Sequence, residues 1–321
     1  MTSSAVPIAG VGFIRAPDDE PTEAENRARR LRATLAALST EGTPIRLLHG
    51  IEELAVLAAH EALSRSGITM PYRGDDLGVV LGVEEGIDGI KARYYQGILK
   101  DGPLGASPLT FPLTTPNTIA ARISILFDLR GETFTVGGGN IAGAQALGLA
   151  VQALRDGYST MVLAGGVTCV EQEFLEAASL VRRSGSGRPG GGACLFLLGS
   201  RGSSSPAGGG QLLGYGEGFG ANDVPDAIQA CLEDAGIPPC AVGAVRMAAV
   251  CDWRSVVQAV RGADIGVGIS HSPSSGLYSA SFPLAVAEVA GQPASGTGMP
   301  VLVVGRDCLA GAAAAVVQGG E

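Results

Sequence analysis

Asn140 stands where many enzymes keep a nucleophile, and an amide is not a nucleophile. It follows Thr133-Phe-Thr-Val136, a β-branched and aromatic run that reads as a short buried strand. Gly137, Gly138 and Gly139 permit a tight reversal that other residues would resist. Ile141 to Arg155 then reads as a helix with apolar residues on most of its faces. A helix N-terminus at this point would lower the pKa of a thiol and offer backbone N–H groups to an oxyanion. The setting is that of a held nucleophile, without the attacking group.

The elements around this turn alternate between strands and helices. Ile8 to Ile14 reads as an opening strand, and the charged stretch Ala16 to Gly42 as a solvated helix or loop. Glu52 to Ser66 is amphipathic, with Leu54, Leu57, Ala58, Ala62 and Leu63 close to one stripe. Gly67 sits where a helix C-terminal glycine belongs. Leu77 to Val83 is a buried strand, Asp88 to Leu99 a helix, Asp101 to Pro116 a loop, and Asn117 to Phe127 another helix. After the central turn come a strand (Thr160 to Val167), a helix (Val170 to Val181) and a strand (Ala193 to Leu198). Ser184 to Gly192 and Arg201 to Gly210 are polar or glycine-rich loops, and the second suggests two parts, 1–205 and 206–321. The second part repeats the alternation: strand Gln211 to Tyr215, helix Val224 to Ala235, strand Ala244 to Val250 and helix Trp253 to Arg261. A short strand Ile265 to Ile269, helix Ala280 to Ala290 and strands Pro300 to Val304 and Ala312 to Gln318 follow. This order argues for α/β layers in two similar halves within one compact unit.

Composition narrows the function classes. The chain has 321 residues, net charge -9 and only 5% aromatics, so a core of small aliphatic residues suits close helix-on-sheet packing. No basic cluster could track a phosphate backbone, which argues against nucleic acid. No run is apolar and long enough to cross a membrane, and the N-terminus lacks the basic segment of a signal peptide. The six cysteines are scattered, without metal-ligand spacing, and read as reduced thiols of a cytoplasmic protein. No metal and no cofactor is expected. Gly137-x-Gly139-x-x-x-Gly143 imitates a dinucleotide fingerprint, but the next strand, Met161 to Gly166, ends without the carboxylate such a site needs.

Pro112 to Ile123, Leu129-Arg-Gly131, Thr133 to Leu147 and Leu163-Ala-Gly-Gly166 together resemble the β-ketoacyl synthase family of the thiolase fold. Cys308 to Val316 is similar to that family's glycine-rich closing turn. The resemblance implies a five-layered αβαβα fold. It also implies three catalytic side chains, a Cys and two His. Here the Cys position is Asn140, Val250 to Val257 replaces the first His motif, and the second His falls on Gly276. His271 lies five residues early. Losing all three removes the nucleophile and the oxyanion stabilisation together.

That pattern resembles the chain length factor, the inactive partner of a ketosynthase in type II polyketide systems. The resemblance implies a heterodimer, a tunnel for the growing acyl chain at its interface, and an acyl carrier protein that docks on the ketosynthase. Length-gating positions map onto Thr110 to Asn117, with Phe111, Leu113, Thr114, Thr115 and Asn117 as candidates. The shortened chain leans toward reduced polyene products. The alternative is a malonyl-carrier-protein decarboxylase in which the Asn140 amide binds the enolate oxygen. A third reading is a purely structural partner of the ketosynthase. Trp253, the only Trp, lies in the altered His region and is expected to plug the vestigial pocket.

Overall fold

The computed structural model describes residues 5–15, parts of 26–36, 50–68, 76–84, 86–137, 139–170, 190–199, 210–250, 253–271, 280–291, 299–307 and 311–320. The first half runs β1 (Val6–Arg15), α1 (Gly50–Arg65), β2 (Leu77–Val83), α2 (Asp88–Asp101), α3 (Asn117–Phe127), β3 (Thr133–Val136), α4 (Ala142–Arg155), β4 (Met161–Thr168) and β5 (Gly192–Gly199). Two 3₁₀ turns, Gly102–Gly105 and Phe111–Thr114, give form to the stretch expected to be loop. The second half runs β6 (Gln211–Gly218), α5 (Asp223–Ala235), β7 (Ala244–Val250), α6 (Trp253–Gly262), β8 (Ile269–His271), α7 (Ser281–Ala290), β9 (Val301–Asp307) and β10 (Gly311–Gln318).

The strands hydrogen-bond in the order β3-β2-β4-β5-β1-β6-β10-β9-β7-β8. Read from either edge inward, the pattern is the same. Each outer trio is parallel: β2 with β3 and β4, β7 with β8 and β9. Each inner set is antiparallel. The halves join where Val6 and Pro7 pair with Leu212 and Gln211. The duplication is therefore visible in hydrogen bonding, although no residue-level repeat carries it. The division at 205/206 falls outside the described residues.

Three apolar clusters define the layers. Leu54, Leu63, Ile119 and Ile123 of α1 and α3 pack on Leu81, Leu163 and Leu195. Ile228, Cys231 and Val256 of α5 and α6 pack on Val304 and Ala314. Between them, Leu147 and Ala150 of α4 and Phe282 and Val286 of α7 meet Val80 and Phe196 of one half and Val303 and Ala315 of the other. Successive strand residues thus face different layers, Leu81 outward and Val80 inward, as a period of two demands. Both faces are covered, which is why these strands read as unbroken hydrophobic runs. The result is the five-layered αβαβα arrangement.

Three expectations need correction. Thr133–Val136 is not a buried strand: it is the edge of the sheet, with Thr133 and Phe134 exposed. The short strand of the second half is Ile269–His271, because residues 265–268 turn out of α6 before pairing begins with β7. Trp253 plugs nothing among the described residues: its ring is 52% exposed, with the Arg254 guanidinium 5.7 Å from its centre. The helix expected over 170–181, most of the loop at 184–192 and nearly all of that at 201–210 lie outside the described residues. Gly67 ends α1 with φ +77°, a left-handed conformation that glycine adopts without strain.

The seat of α4 depends on a missing side chain. A Cβ on Gly82 of β2 would stand 2.3 Å from the backbone carbonyl of Ala142. Backbone cannot yield as a flexible side chain would, so Gly82→Ala must push the helix off the sheet. Urea unfolding should show a loss of about 1–3 kcal/mol. An unchanged midpoint would mean that α4 is not held this closely.

Candidate functional site

The turn before α4 is a short 3₁₀ segment, Gly139–Ile141, with Gly139 at φ +64°. It presents Asn140, half-buried, at the C-terminal ends of the parallel strands, where open α/β sheets place their ligands. The expected helix-head position is therefore real, with the helix proper starting at Ala142.

What meets Asn140 is a carboxylate. Asp307, the last residue of β9 and 7% exposed, accepts a hydrogen bond from the Asn140 backbone N–H to its Oδ2 at 3.1 Å. A Cβ on Gly139 would come within 3.0–3.3 Å of three Asp307 carboxyl atoms, so the carboxyl lies directly over the turn. Donors at a helix N-terminus attract anions. Here the anion is supplied by the other half of the same chain. An N–H that would serve an oxyanion is already in use.

Glu84, which follows β2, adds a second acid. Its Oε2 is buried without a hydrogen-bond partner. Burial pushes its carboxyl up, and the Asp307 carboxylate adds to the rise, to about 7. The pairing of Val83 with Val167 places Thr168 of β4 beside Glu84. Thr168 is fully buried, and its Oγ1 has no partner within the described chain. The Oδ1 of Asn140 is in the same condition. The site is therefore rich in oxygen and acidic. No imidazole is among the groups described around it. Among the described residues, His271 is exposed on β8, two strands from β9; Gly276 lies outside them.

The length-gating candidates sit apart from this turn, on the 3₁₀ segment before α3. Phe111 is exposed, its ring 5.9 Å from that of Tyr94. Leu113 faces inward and lines a nearly filled space of about 10 Å³ with Ile51, Ile87, Ile90 and Ile119. Thr114 and Thr115 donate their hydroxyls to the carbonyls of Phe111 and Pro112, at 2.7 and 3.0 Å, which braces the turn. Asn117 opens α3 and is exposed.

Sequence reasoning singled out neither Glu84 nor Asp307, which directly precedes the glycine-rich turn at Cys308 to Val316. The available signal was Glu84 directly after a buried strand, since a charge at that end of a parallel strand faces the site. A cavity of about 850 Å³ between α5 and α6 lies elsewhere. Its polar end is closed on itself, with Arg306 bonded to Asp223 at 2.8 Å and to Ser255 at 3.2 Å.

Comparison with known proteins agrees with this geometry. Residues 46–188 match the model of the beta-ketoacyl synthase N-terminal domain. Nodulation protein E of Rhizobium leguminosarum bv. trifolii is 36% identical over 115 residues, 35% of this chain and 28% of that protein. Highly reducing polyketide synthase 40 of Fusarium pseudograminearum is 37% identical over 143 residues, 43% of this chain and 5% of that protein. The matches thus span less than a third of either relative. Among solved structures, the ishigamide ketosynthase/chain length factor superposes with a TM-score of 0.71 and 21% identity, covering 98% of this chain and 99% of that one. A β-ketoacyl synthase from Burkholderia phymatum gives 0.73 and 18%, with the same coverage. A type II polyketide ketosynthase in complex with its acyl-carrier protein gives 0.72 and 14%, covering 99% of this chain and 100% of that one. Residues 46–188 thus match a beta-ketoacyl synthase N-terminal domain, and the chain as a whole has the thiolase-like fold of these ketosynthase structures.

Proposed function

We propose that this chain is a non-catalytic, chain-length-factor-like subunit that pairs with an active β-ketoacyl synthase and shapes the acyl tunnel at their interface. The observation that carries the reading is the filled turn. Asn140 replaces the nucleophile, and its backbone N–H is held by Asp307 at 3.1 Å. The Asn140 amide cannot attack as a thiolate would, and an oxyanion at its N–H would have to displace a carboxylate.

A partner is supported by the exposed apolar margin of the first half. Leu99, Leu104, Leu109, Phe111, Ile125 and Phe134 are all exposed. They lie on α2, the turns that follow it, α3 and β3, a contiguous stretch of chain beside a sheet edge. An exposed strand edge flanked by large apolar side chains is a template for pairing with another chain. A ketosynthase of the same fold would supply the complementary edge. Phe111 then faces the partner, the position from which a side chain limits an acyl tunnel. The ishigamide ketosynthase/chain length factor and the ketosynthase bound to its carrier protein share this fold. The acyl carrier protein reaches the complex through the ketosynthase, since this chain carries a net charge of -9.

The decarboxylase alternative meets an electrostatic obstacle. A malonyl carboxylate would approach Asp307, with Glu84 beside it, and like charges at close range oppose binding.

Co-expression with the ketosynthase of the same biosynthetic system, followed by size-exclusion chromatography with mass detection, tests the pairing. A one-to-one complex is expected. Phe134→Lys, an exposed change that leaves the core intact, should weaken it by about 2 kcal/mol or more, roughly 30-fold. A soluble homodimer indifferent to the ketosynthase would overturn the reading. In a separate assay, the isolated chain should release no carbon dioxide from malonyl-carrier protein above background. Turnover there would establish the decarboxylase instead.

A further inference from the structure

The second half holds an open space that the turn at Asn140 does not use. It measures about 850 Å³ and lies between α5 and α6. That volume falls in the range of sites that bury most of a drug-sized molecule. The side chains of the two helices explain why it is there. Ser255, Ala259 and Gly262 share one face of α6, and all are small. A Cβ on Gly262 would meet nothing within 4 Å. The facing wall is Val224, Ile228 and Leu232 of α5, with Ile237 from the turn beyond it.

Small residues on facing helices ordinarily let the helices close together. Here one end is held apart by a post. Arg306 of β9 reaches both helices: its Nε donates to Oδ2 of Asp223 at 2.8 Å, and its Nη1 donates to Oγ of Ser255 at 3.2 Å. Asp223 is the first residue of α5, is buried, and accepts the Val224 N–H on its Oδ1 at 2.8 Å. Arg306 and Asp307 are consecutive on β9 and point to opposite faces of the sheet. Asp307 meets Asn140 on one face, and Arg306 spaces α5 from α6 on the other.

The lining selects the chemistry of an occupant. Three of its residues are charged: Asp223, Glu233 and Arg306. Asp223 neutralises Arg306, which leaves the Glu233 carboxylate as the net charge. An anionic head group would meet that carboxylate and find Arg306 already matched. A cationic one would gain little, since Glu233 is exposed and a pair formed in water contributes little. The other polar side chains at the mouth include the amides of Gln229 and Gln258. An amide both donates and accepts, which suits an uncharged head.

We propose that the space between α5 and α6 binds an uncharged, mainly apolar small molecule, a medium-chain aliphatic alcohol or amide. Its hydrocarbon lies against Ile228, Leu232 and Ala259, and its polar head lies at Gln229 and Gln258. The site is across the sheet from Asn140, so it does not depend on the tunnel-shaping role, and its test uses the isolated chain.

Octanol, octanamide and octanoate are the probes, followed by methyl NMR and calorimetry. Octanol and octanamide should give saturable shifts of the Ile228, Leu232 and Ile237 methyls. Octanoate should bind about tenfold more weakly, or worse. Glu233→Gln, an exposed change, should close most of that gap. Gly262→Leu should fill the space and abolish binding, whereas Phe134→Lys, on the apolar margin of the first half, should leave it unchanged. Absence of saturable shifts at Ile228 and Leu232 would overturn the proposal. So would shifts confined to Leu99, Leu104 and Leu109, which would place the probe on the exposed margin, or octanoate binding as tightly as octanol. If Gly262→Leu fails to fold, the wild-type methyl shifts and the octanoate response of Glu233→Gln decide the matter.

Discussion

The close seating of α4 on β2 is the contact on which the rest of the structure depends. A helix backbone can approach a strand this closely only over a residue without a side chain, and Gly82 provides that position. α4 lies in the central layer with α7, between the sheets of the two halves. Its height therefore sets the spacing of both halves, and its N-terminal turn reaches the end of β9. Small residues along it, such as Ala144, Ala146 and Ala150, are buried for the same reason. A bulky central helix would separate the sheets and carry Asn140 away from Asp307.

At that turn, the physics of a helix N-terminus is retained while its use is changed. The donors still attract an anion. In an acyl-transfer enzyme that anion is made during the reaction and then lost. Here it is a permanent side chain from the other half, so the same N–H works for cohesion. A donor occupied in this way is not available to stabilise a developing oxyanion unless the carboxylate moves aside. A cysteine restored at Asn140 would face an acid that disfavours its thiolate.

Much of this was legible in the chain itself. Leu77–Val83 and Asn117–Phe127 were readable to the residue, because apolar period and flanking turn residues agree there. The strand, turn and helix around Asn140 were readable as well, because three consecutive glycines between a β-branched run and an alanine-rich run admit few alternatives. The exposure of Thr133–Val136 was not readable. Its residues suit either a buried or an edge strand, and only the long-range order of strands decides. Asp307 on Asn140 is a contact across 167 positions, which no local pattern encodes. Glu84 was visible as a charge after a buried strand, but its meaning required knowing what faces it. How each length-gating candidate is used was equally out of reach. Phe111 and Leu113 are two residues apart, yet one faces outward and the other packs against Ile51 and Ile119.

The apolar rim from Leu99 to Phe134 also bears on how much of the chain a cell can tolerate. Its cohesion and its stickiness come from separate parts of the molecule, the layered interior and the open margin of the first half. Making the fold more stable would leave that margin as adhesive as before. Each copy made beyond the supply of whatever covers it presents the same bare edge to its neighbours, so self-association grows with surplus rather than with misfolding. On the proposed pairing, matched synthesis of the two chains, rather than greater thermal stability, would keep this margin covered.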